Sequence, residues 1–530
     1  MRIATPLVLV ILDGLGVSLE THGNPAAQAK KPTLNDVERT YPFTTLQASG
    51  VAVGLPWGQA GNSEVGHLTI GSGRIIYNHL PRIISSIYDG SFFVNPAFMR
   101  VAEHVTKNSS RLHIAGLVSS GSVHSYIDHL YALLDFADRH GAPEILIHVF
   151  TDGKDAPPRQ ALAFLPQLEE RLKKQHPKAR MASIMGRFFA MDRDEKWDRI
   201  QQAYDLMTQG RGEQIDSLIE YLGRSYGQGI SDEFIAPALL GNPAGRENII
   251  RENDGLIFFN FREDSMREIT HAFTDEVFDQ FPRQKIQNLV AATMTEYEEG
   301  LRALVAFLPI QIDHPLSRVL SDAGFSHLHI AETEKYAHVT YFFNGGRETP
   351  YPGEDRILIP SIATAHFDET PQMRAPEITE KILENIDAYP VIVANFANAD
   401  MVGHTGNFEA CVAAVEAIDE ALGKIKAAVL EKNGVLVVTA DHGNIERKRD
   451  ALTGEILTQH STNPVPFYLI GKQFRLREPR TDENIAKRKS EAGGILTDVA
   501  PTILELLGLK KPDEMSGVSL LGMLEKQIKD

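Results

Sequence analysis

Leu7-Val8-Leu9-Val10-Ile11-Leu12 is an unbroken aliphatic run that stops at Asp13-Gly14. Such a run, without polar alternation, predicts a strand covered on both faces, as parallel strands inside α/β sheets are. Asp13 then stands at the strand's carboxyl end, the edge at which open α/β sheets bind ligands. A single Asp-Gly pair is more ordinarily a turn. The reading therefore depends on whether other strands end in the same way.

Several do. A run at 391–396 leads to Asp400 and His404, and one at 435–439 to Asp441-His442-Gly443. His460 precedes a last strand predicted at 467–470, and a strand at 328–331 leads to Lys335. In the middle of the chain, strands at 112–118, 145–150, 181–185 and 256–261 run into His124, Lys154-Asp155, Arg187 and Arg262, with Arg193 shortly after Arg187. Helical patterns at 127–138 and 160–174 separate them. This βα alternation predicts an α/β fold with mostly parallel sheets. A helix is expected to open at Thr497–Asp498 and end at Gly508, and the charged segment 472–492 is expected to be a solvated surface.

The strand ends sort into two chemistries. Asp13, Asp400, His404, Asp441, His442 and His460 come from the two ends of the chain, and carboxylate oxygen with imidazole nitrogen suits Mn or Zn better than Ca. Asp400 and His404 are four apart and share one side if the segment is helical. Asp441 and His442 are adjacent and are expected to diverge, so that one turn serves two metals. A lone Asp-His-Gly is usually a turn and a lone histidine usually structural; the metal reading rests on the set. The middle group, His124, Lys154, Asp155, Arg187, Arg193 and Arg262, offers cations to an anion, arginine forks matching phosphate and carboxylate oxygens in pairs.

This order along the chain implies two α/β domains, one discontinuous (1–78 and 312–530) with metal residues, the other inserted into it (79–311) with anion residues. Two crossovers between domains make a hinge, and a substrate cleft is expected there. The 530 residues are too many for one ordinary core. With 53 basic and 70 acidic side chains the formal charge is -17, which argues against nucleic acid as a partner. The one cysteine, Cys411, lies in an apolar helical pattern and fits a buried thiol in a reducing, cytoplasmic setting. The apolar start at 1–12 is too short for a signal peptide, and no membrane span is predicted.

Ser63 lies in Gly61-Asn62-Ser63-Glu64-Val65-Gly66-His67, a glycine-dense stretch with no base triad beside it. A serine hydroxyl needs a base or a metal to become a nucleophile, and the Asp/His set offers metal.

These motifs, together with Val123-His124-Ser125, Gly186 to Asp194, Glu332-Thr333-Glu334-Lys335-Tyr336, Asp400 to Gly406 and Ala440 to Asn444, occur in one order over nearly the whole chain. They resemble the cofactor-independent phosphoglycerate mutases of the alkaline phosphatase superfamily. The resemblance implies two Mn2+ ions (or Mg2+, Co2+ or Zn2+), one on Asp400, His404 and His460, the other on Asp13, Ser63, Asp441 and His442. It implies substrate contacts from His124, Lys154, Asp155, Arg187, Arg193, Arg262 and Lys335. The activity implied is 3-phosphoglycerate to 2-phosphoglycerate interconversion by a monomeric cytoplasmic enzyme, with a phosphoryl group on Ser63, charge offset by Lys335 and Asp155 as base. Four positions depart from the family pattern: Lys154 and Ser265 stand where arginine is usual, and Ser122 and Tyr126 replace glycine and histidine. Arg267, two residues after Ser265, is weighed as a partial replacement. Because the departures touch only the substrate set, a related phosphomutase or phosphohydrolase on another small phosphorylated acid or sugar is the alternative, and a non-catalytic metal- and phosphate-binding module is a third reading.

Overall fold

The computed structural model describes residues 5–241, 246–364, 366–450 and 452–529. The opening 1–4 of the apolar start therefore lies outside the described residues. The chain divides into two compact units, Met1–Tyr77 with Ile310–Asp530, and Asn78–Pro309. Each is an α/β layer structure around an eight-stranded, mostly parallel sheet.

In the first unit the strand order is Glu354–Ile359, His327–Glu332, Val391–Phe396, Leu7–Leu12, Val435–Thr439, Val465–Ile470, Phe43–Gln47, Ala492–Ile495. Leu7–Leu12 is central and wholly buried, and it pairs in parallel with Val391–Phe396 on one side and Val435–Thr439 on the other. Its two faces are therefore both covered, which is why its sequence does not alternate. Val465–Ile470 runs antiparallel to both neighbours. The final strand is not the one expected at 467–470 but Ala492–Ile495, and the charged segment before it, although largely exposed, carries the helix Asp482–Ser490. A short, glycine-containing edge strand has no hydrophobic run to mark it.

In the second unit the order is Leu304–Phe307, Val290–Thr295, Gly255–Phe258, Leu112–Leu117, Ile145–Thr151, Ala179–Gly186, Ala238–Leu240, Glu213–Ile215. Among the described residues the only antiparallel strand pair there joins Ala179–Gly186 to Ala238–Leu240. The strand expected at 256–261 stops at Phe258, because the backbone N–H groups of Phe261 and Arg262 turn to the His124 carbonyl, at 2.8 and 3.2 Å. Among the described residues no helix is long and apolar enough to cross a membrane.

Cys411 is buried in the long helix Phe408–Glu431, and burial pushes its thiol up to about 11. In the second unit His129, on the helix Ile127–Arg139, is fully buried between the rings of Tyr126 and Phe261, and neither ring nitrogen has a hydrogen-bond partner. Burial pushes this imidazole from 6.5 down to about 3. The unfolded chain therefore binds a proton below pH 6.5 that the folded chain refuses until about pH 3. Stability is unaffected above that window and lost progressively as pH falls through it, by about 2 kcal/mol at pH 5 for this residue. His129→Leu should remove this loss, so its urea midpoint should shift less between pH 8 and pH 5 than the parent's; an identical shift in both proteins would refute the assignment.

Candidate active site

Four neighbouring parallel strands of the first unit deliver their carboxyl ends to one edge. Asp13 follows Leu7–Leu12 directly; Asp400 lies in the short helix Asn398–Gly403 after Val391–Phe396; Asp441 and His442 follow Val435–Thr439; Lys335 lies in the helix Thr333–Ala337 after His327–Glu332. Ser63 is the first residue of the helix Ser63–Ser72, capped by Asn62, whose Oδ1 accepts from Val65 N at 2.9 Å. Two glycines let these segments close up. Gly14 has φ +75°, and a Cβ there would lie 2.7 Å from Asp400 Cα; at Gly66 it would lie 2.6 Å from Asp441 Cβ.

All the residues expected to bind metal converge. Asp400 Oδ1 is 3.2 Å from both His404 Nε2 and His460 Nε2, which are 3.0 Å apart. Ser63 Oγ donates to Asp13 Oδ1 at 3.1 Å and lies 3.0 Å from His442 Nε2. His442 Nε2 is 3.5 Å from both Asp13 Oδ1 and Asp441 Oδ2, and 3.9 Å from Asp400 Oδ1. His442 thus borders both ligand sets, and its ring stacks on His460 with centroids 3.9 Å apart. Asp441 and His442, adjacent in one turn, contribute to two different ligand groups, Asp441 with Asp13 and His67, His442 with Asp400 and His460. The Asp441 carboxylate is anchored there by Gly14 N and His442 N, at 3.1 and 3.0 Å.

Lys335, buried, fills the centre. Its Nζ donates to Asp13 Oδ1 at 2.7 Å, Ser63 Oγ at 2.6 Å and Asp400 Oδ2 at 2.6 Å. Burial alone would depress this amine, but Asp13, Asp400 and Asp441 outweigh it and hold it protonated. Burial and the neighbouring Asp441 raise the Asp13 carboxyl against the pull of Lys335. Asp400 and Asp441 stay below the usual carboxylate range despite burial, held down chiefly by Lys335 and His442 respectively. Burial works against charge on His460, and Asp400 overcomes it and raises that imidazole.

Three buried carboxylates thus face one ammonium, and Asp441 Oδ2 is buried without a hydrogen-bond donor. Such a set of oxygen and imidazole ligands fits divalent cations. Ligand atoms of Asp400, His442 and His460, and separately of Asp13, His67 and Asp441, lie within 4.8 Å of one another.

His67, in the serine motif, also belongs to this site. Its Nδ1 donates to the Ser63 carbonyl at 2.8 Å, and its Nε2 accepts from Asn395 Nδ2 at 2.9 Å, which also donates to Asp13 Oδ2 at 2.8 Å. Its spacing of four from Ser63 on a helix was a legible signal. Behind Asp400, Asn444 Nδ2 donates to Oδ1 at 2.8 Å, and the fully buried Lys448 donates to Asn444 Oδ1 and to Gly403 O. Nothing in the sequence pattern marks Lys448 as interior.

In the second unit, His124, Lys154, Asp155, Arg187, Arg193 and Arg262 line one cavity of about 190 Å³. Arg187, buried, donates to Asp152 Oδ1 at 2.8 Å, to Asp155 Oδ2, and through NH2 to His124 Nε2 at 2.9 Å. Burial, and then Arg187, push His124 down to about 4, so it is neutral at pH 7. The Lys154 ammonium reaches Glu233 only at 4.0 Å. Ser265, also on the cavity wall, spends its hydroxyl on Asp264 Oδ1 at 3.0 Å. Arg267 is committed to the Tyr297 carbonyl at 2.9 Å and lies outside the cavity lining, so it does not replace the missing cation. Arg199, which stands at no strand end, also lines the cavity, held by Asp192 at 2.7 Å and stacked on Phe188.

The family model described as "BPG-independent PGAM N-terminus" matches residues 83–299. The chain is 46% identical to the 2,3-bisphosphoglycerate-independent phosphoglycerate mutase of Moorella thermoacetica, covering 97% of this chain and 98% of the relative. It is also 46% identical to that of Clostridium novyi, over 97% and 99%. A solved Leishmania mexicana phosphoglycerate mutase, crystallised at low cobalt concentration, superposes with a TM-score of 0.55 at 31% identity over 97% of each chain. On relatives this similar over the full length, the chain belongs to the family of 2,3-bisphosphoglycerate-independent phosphoglycerate mutases, which are isomerases.

Proposed function

We propose that this chain interconverts 3-phosphoglycerate and 2-phosphoglycerate through a phosphoserine at Ser63. The observation that carries the reading is the setting of the Ser63 hydroxyl: a carboxylate at 3.1 Å, an imidazole at 3.0 Å and an ammonium at 2.6 Å, at the carboxyl edge of the sheet. In this reading residues 1–77 and 310–530 are a metal-binding phosphatase-like domain, and residues 78–309 are the substrate-binding domain.

Asp400, His404 and His460 would hold one divalent ion, and Asp13, Ser63, Asp441 and His442 the other, Mn2+ being the favoured metal. Bound there, the ions supply Lewis acidity, lowering the hydroxyl pKa and offsetting phosphoryl charge. Ser63 Oγ attacks phosphorus, the bond from phosphorus to the substrate oxygen breaks, and that oxygen takes a proton from Asp155 to leave as a glycerate hydroxyl. The serine proton already points to Asp13 Oδ1, whose proton affinity burial has raised. Lys335 faces the three charged phosphoryl oxygens with a cation fixed by two carboxylates, so little reorganisation is needed during transfer. His67 holds the Ser63 backbone and Asn395 orients Asp13.

Arg193, Arg262 and Lys154 would bind the glycerate carboxylate. Asp155, gripped by Arg187 and 3.5 Å from His124 Nε2, is positioned as the base for the glycerate hydroxyl that takes the phosphoryl group back from Ser63. The second reading, the same chemistry on another small phosphorylated acid or sugar, is favoured by one observation: Lys154 and Ser265 give this cavity fewer forks than a full arginine set. The single buried cysteine fits a cytoplasmic enzyme, and a monomer is the simplest state, to be read from light scattering.

A coupled assay on 3-phosphoglycerate, run beside inorganic phosphate release, separates the readings. Formation of 2-phosphoglycerate is expected; phosphate without 2-phosphoglycerate would support the second reading instead. Ser63→Ala should lower kcat by at least about 10³-fold with the fold unchanged, and turnover near the parent's would remove Ser63 from the mechanism.

Two more outcomes follow from the cluster. Chelation should abolish turnover and Mn2+ restore it, with two equivalents of metal in the restored protein; full activity in metal-free protein would contradict this. Lys335→Met should cut kcat by roughly 100-fold or more, as loss of a preorganised charge on the transferring group does. A rise confined to KM would place Lys335 in ground-state binding only.

A further inference from the structure

Within the substrate unit, one carboxylate gathers the cations. Asp264 Oδ2 accepts from Arg193 NH1 at 2.8 Å and from Arg262 Nε at 3.1 Å, and Arg262 NH2 pairs with it at 2.9 Å. Its other oxygen accepts from the Ser265 hydroxyl at 3.0 Å and lies 3.8 Å from His124 Nδ1. Because Arg187 donates to His124 Nε2, the neutral ring carries its proton on Nδ1, and that buried N–H has no hydrogen-bond partner. The backbone ties the same groups together, since Phe261 N and Arg262 N both donate to the His124 carbonyl.

We propose that Asp264 is a positioning residue that gathers Arg193 and Arg262, beside the His124 N–H, into a preformed fork for the substrate carboxylate, with Ser265 as the anchor that aims it. This rests on the reading of the cavity given under Proposed function.

The physical reason is the freedom of the arginines. Their side chains are 51% and 43% exposed. Each long side chain carries rotamer entropy that binding would otherwise have to remove. Two guanidiniums side by side also repel, and the intervening carboxylate offsets that repulsion. Asp264 spends one nitrogen of Arg193 and one edge of Arg262, which leaves the Nε–NH2 edge of Arg193 and NH1 of Arg262 for a ligand. The buried Ser265 hydroxyl thereby acquires a role: where an arginine would add another cation, this chain fixes the carboxylate that orders the two it has. Burial opposes the charge on Asp264, but Ser265 and the arginines hold its carboxyl below the usual range.

The test uses the full-length metal-loaded enzyme, with KM and kcat in the mutase assay and calorimetric binding of 3-phosphoglycerate. Asp264→Ala should raise KM and Kd by roughly tenfold, the scale of one lost charge-assisted contact, with a much smaller fall in kcat. Asp264→Asn, which keeps the shape and an acceptor oxygen, should give a smaller rise and guards against misfolding of the alanine variant. Arg262→Ala should also raise KM, and adding Asp264→Ala to it should cost less than in the parent, because Asp264 acts through that arginine. Strict additivity, an unchanged KM, or a lower KM in Asp264→Ala would overturn the proposal while leaving the cavity reading intact. Arginine variants with the parent's KM would overturn the cavity reading and the proposal together.

Discussion

Everything in the first unit turns on three carboxylates, Asp13, Asp400 and Asp441, forced into one buried place. Buried like charges are costly unless opposite charge is supplied in contact. Lys335 supplies it, touching two of the three and the Ser63 hydroxyl. The cost is not fully met by one ammonium, which is why the Asp13 carboxyl is pushed up and Asp441 Oδ2 lacks a donor. That residual mismatch is what a divalent cation relieves. The same crowding sets the Lys335 ammonium against the Ser63 hydroxyl.

The cluster can form only because the backbone permits it. Strands paired in parallel on both sides of Leu7–Leu12 bring their ends level, so residues distant in sequence arrive at one edge. Gly14 and Gly66 then allow the Asp13 turn and the Ser63 helix to approach Asp400 and Asp441 more closely than a side chain would tolerate. Around this centre His67, Asn395, Asn444 and Lys448 complete a polar shell that holds the carboxylates in orientation, as second partners do around metal ligands.

The second unit solves the opposite problem. It collects cations, and it holds the four arginines with aspartates: Asp152 for Arg187, Asp192 for Arg199, Asp264 for Arg193 and Arg262. Asp152 is itself fixed by the Ser119 hydroxyl and by the N–H groups of Lys154 and Asp155. In a chain of charge -17 a cluster of cations has to be assembled locally, and pairing each arginine with a carboxylate, buried at Asp152 and Asp192 and half-buried at Asp264, offsets the repulsion between them.

Much of this was legible in the chain. A run such as Leu7–Leu12 declares a two-sided burial, so the α/β class and the polar strand ends follow from local pattern, as does the division of Asp/His from Arg/Lys along the sequence. The edge strand Ala492–Ile495 and the shortened Gly255–Phe258 were not legible, because neighbours rather than residues decide where they begin and stop. The same holds for the site. Sequence named Ser63, Asp13 and Lys335 but gave no sign that the amine of Lys335 touches both of the others, that His442 borders both ligand sets, that Lys448 is interior, or that Ser265 holds Asp264. Residue type and spacing determine which chemistry a chain carries to its strand ends. Distance, burial and hydrogen-bond partners arise only when those ends meet, and tertiary structure alone decided which carboxylate oxygen each cation would face.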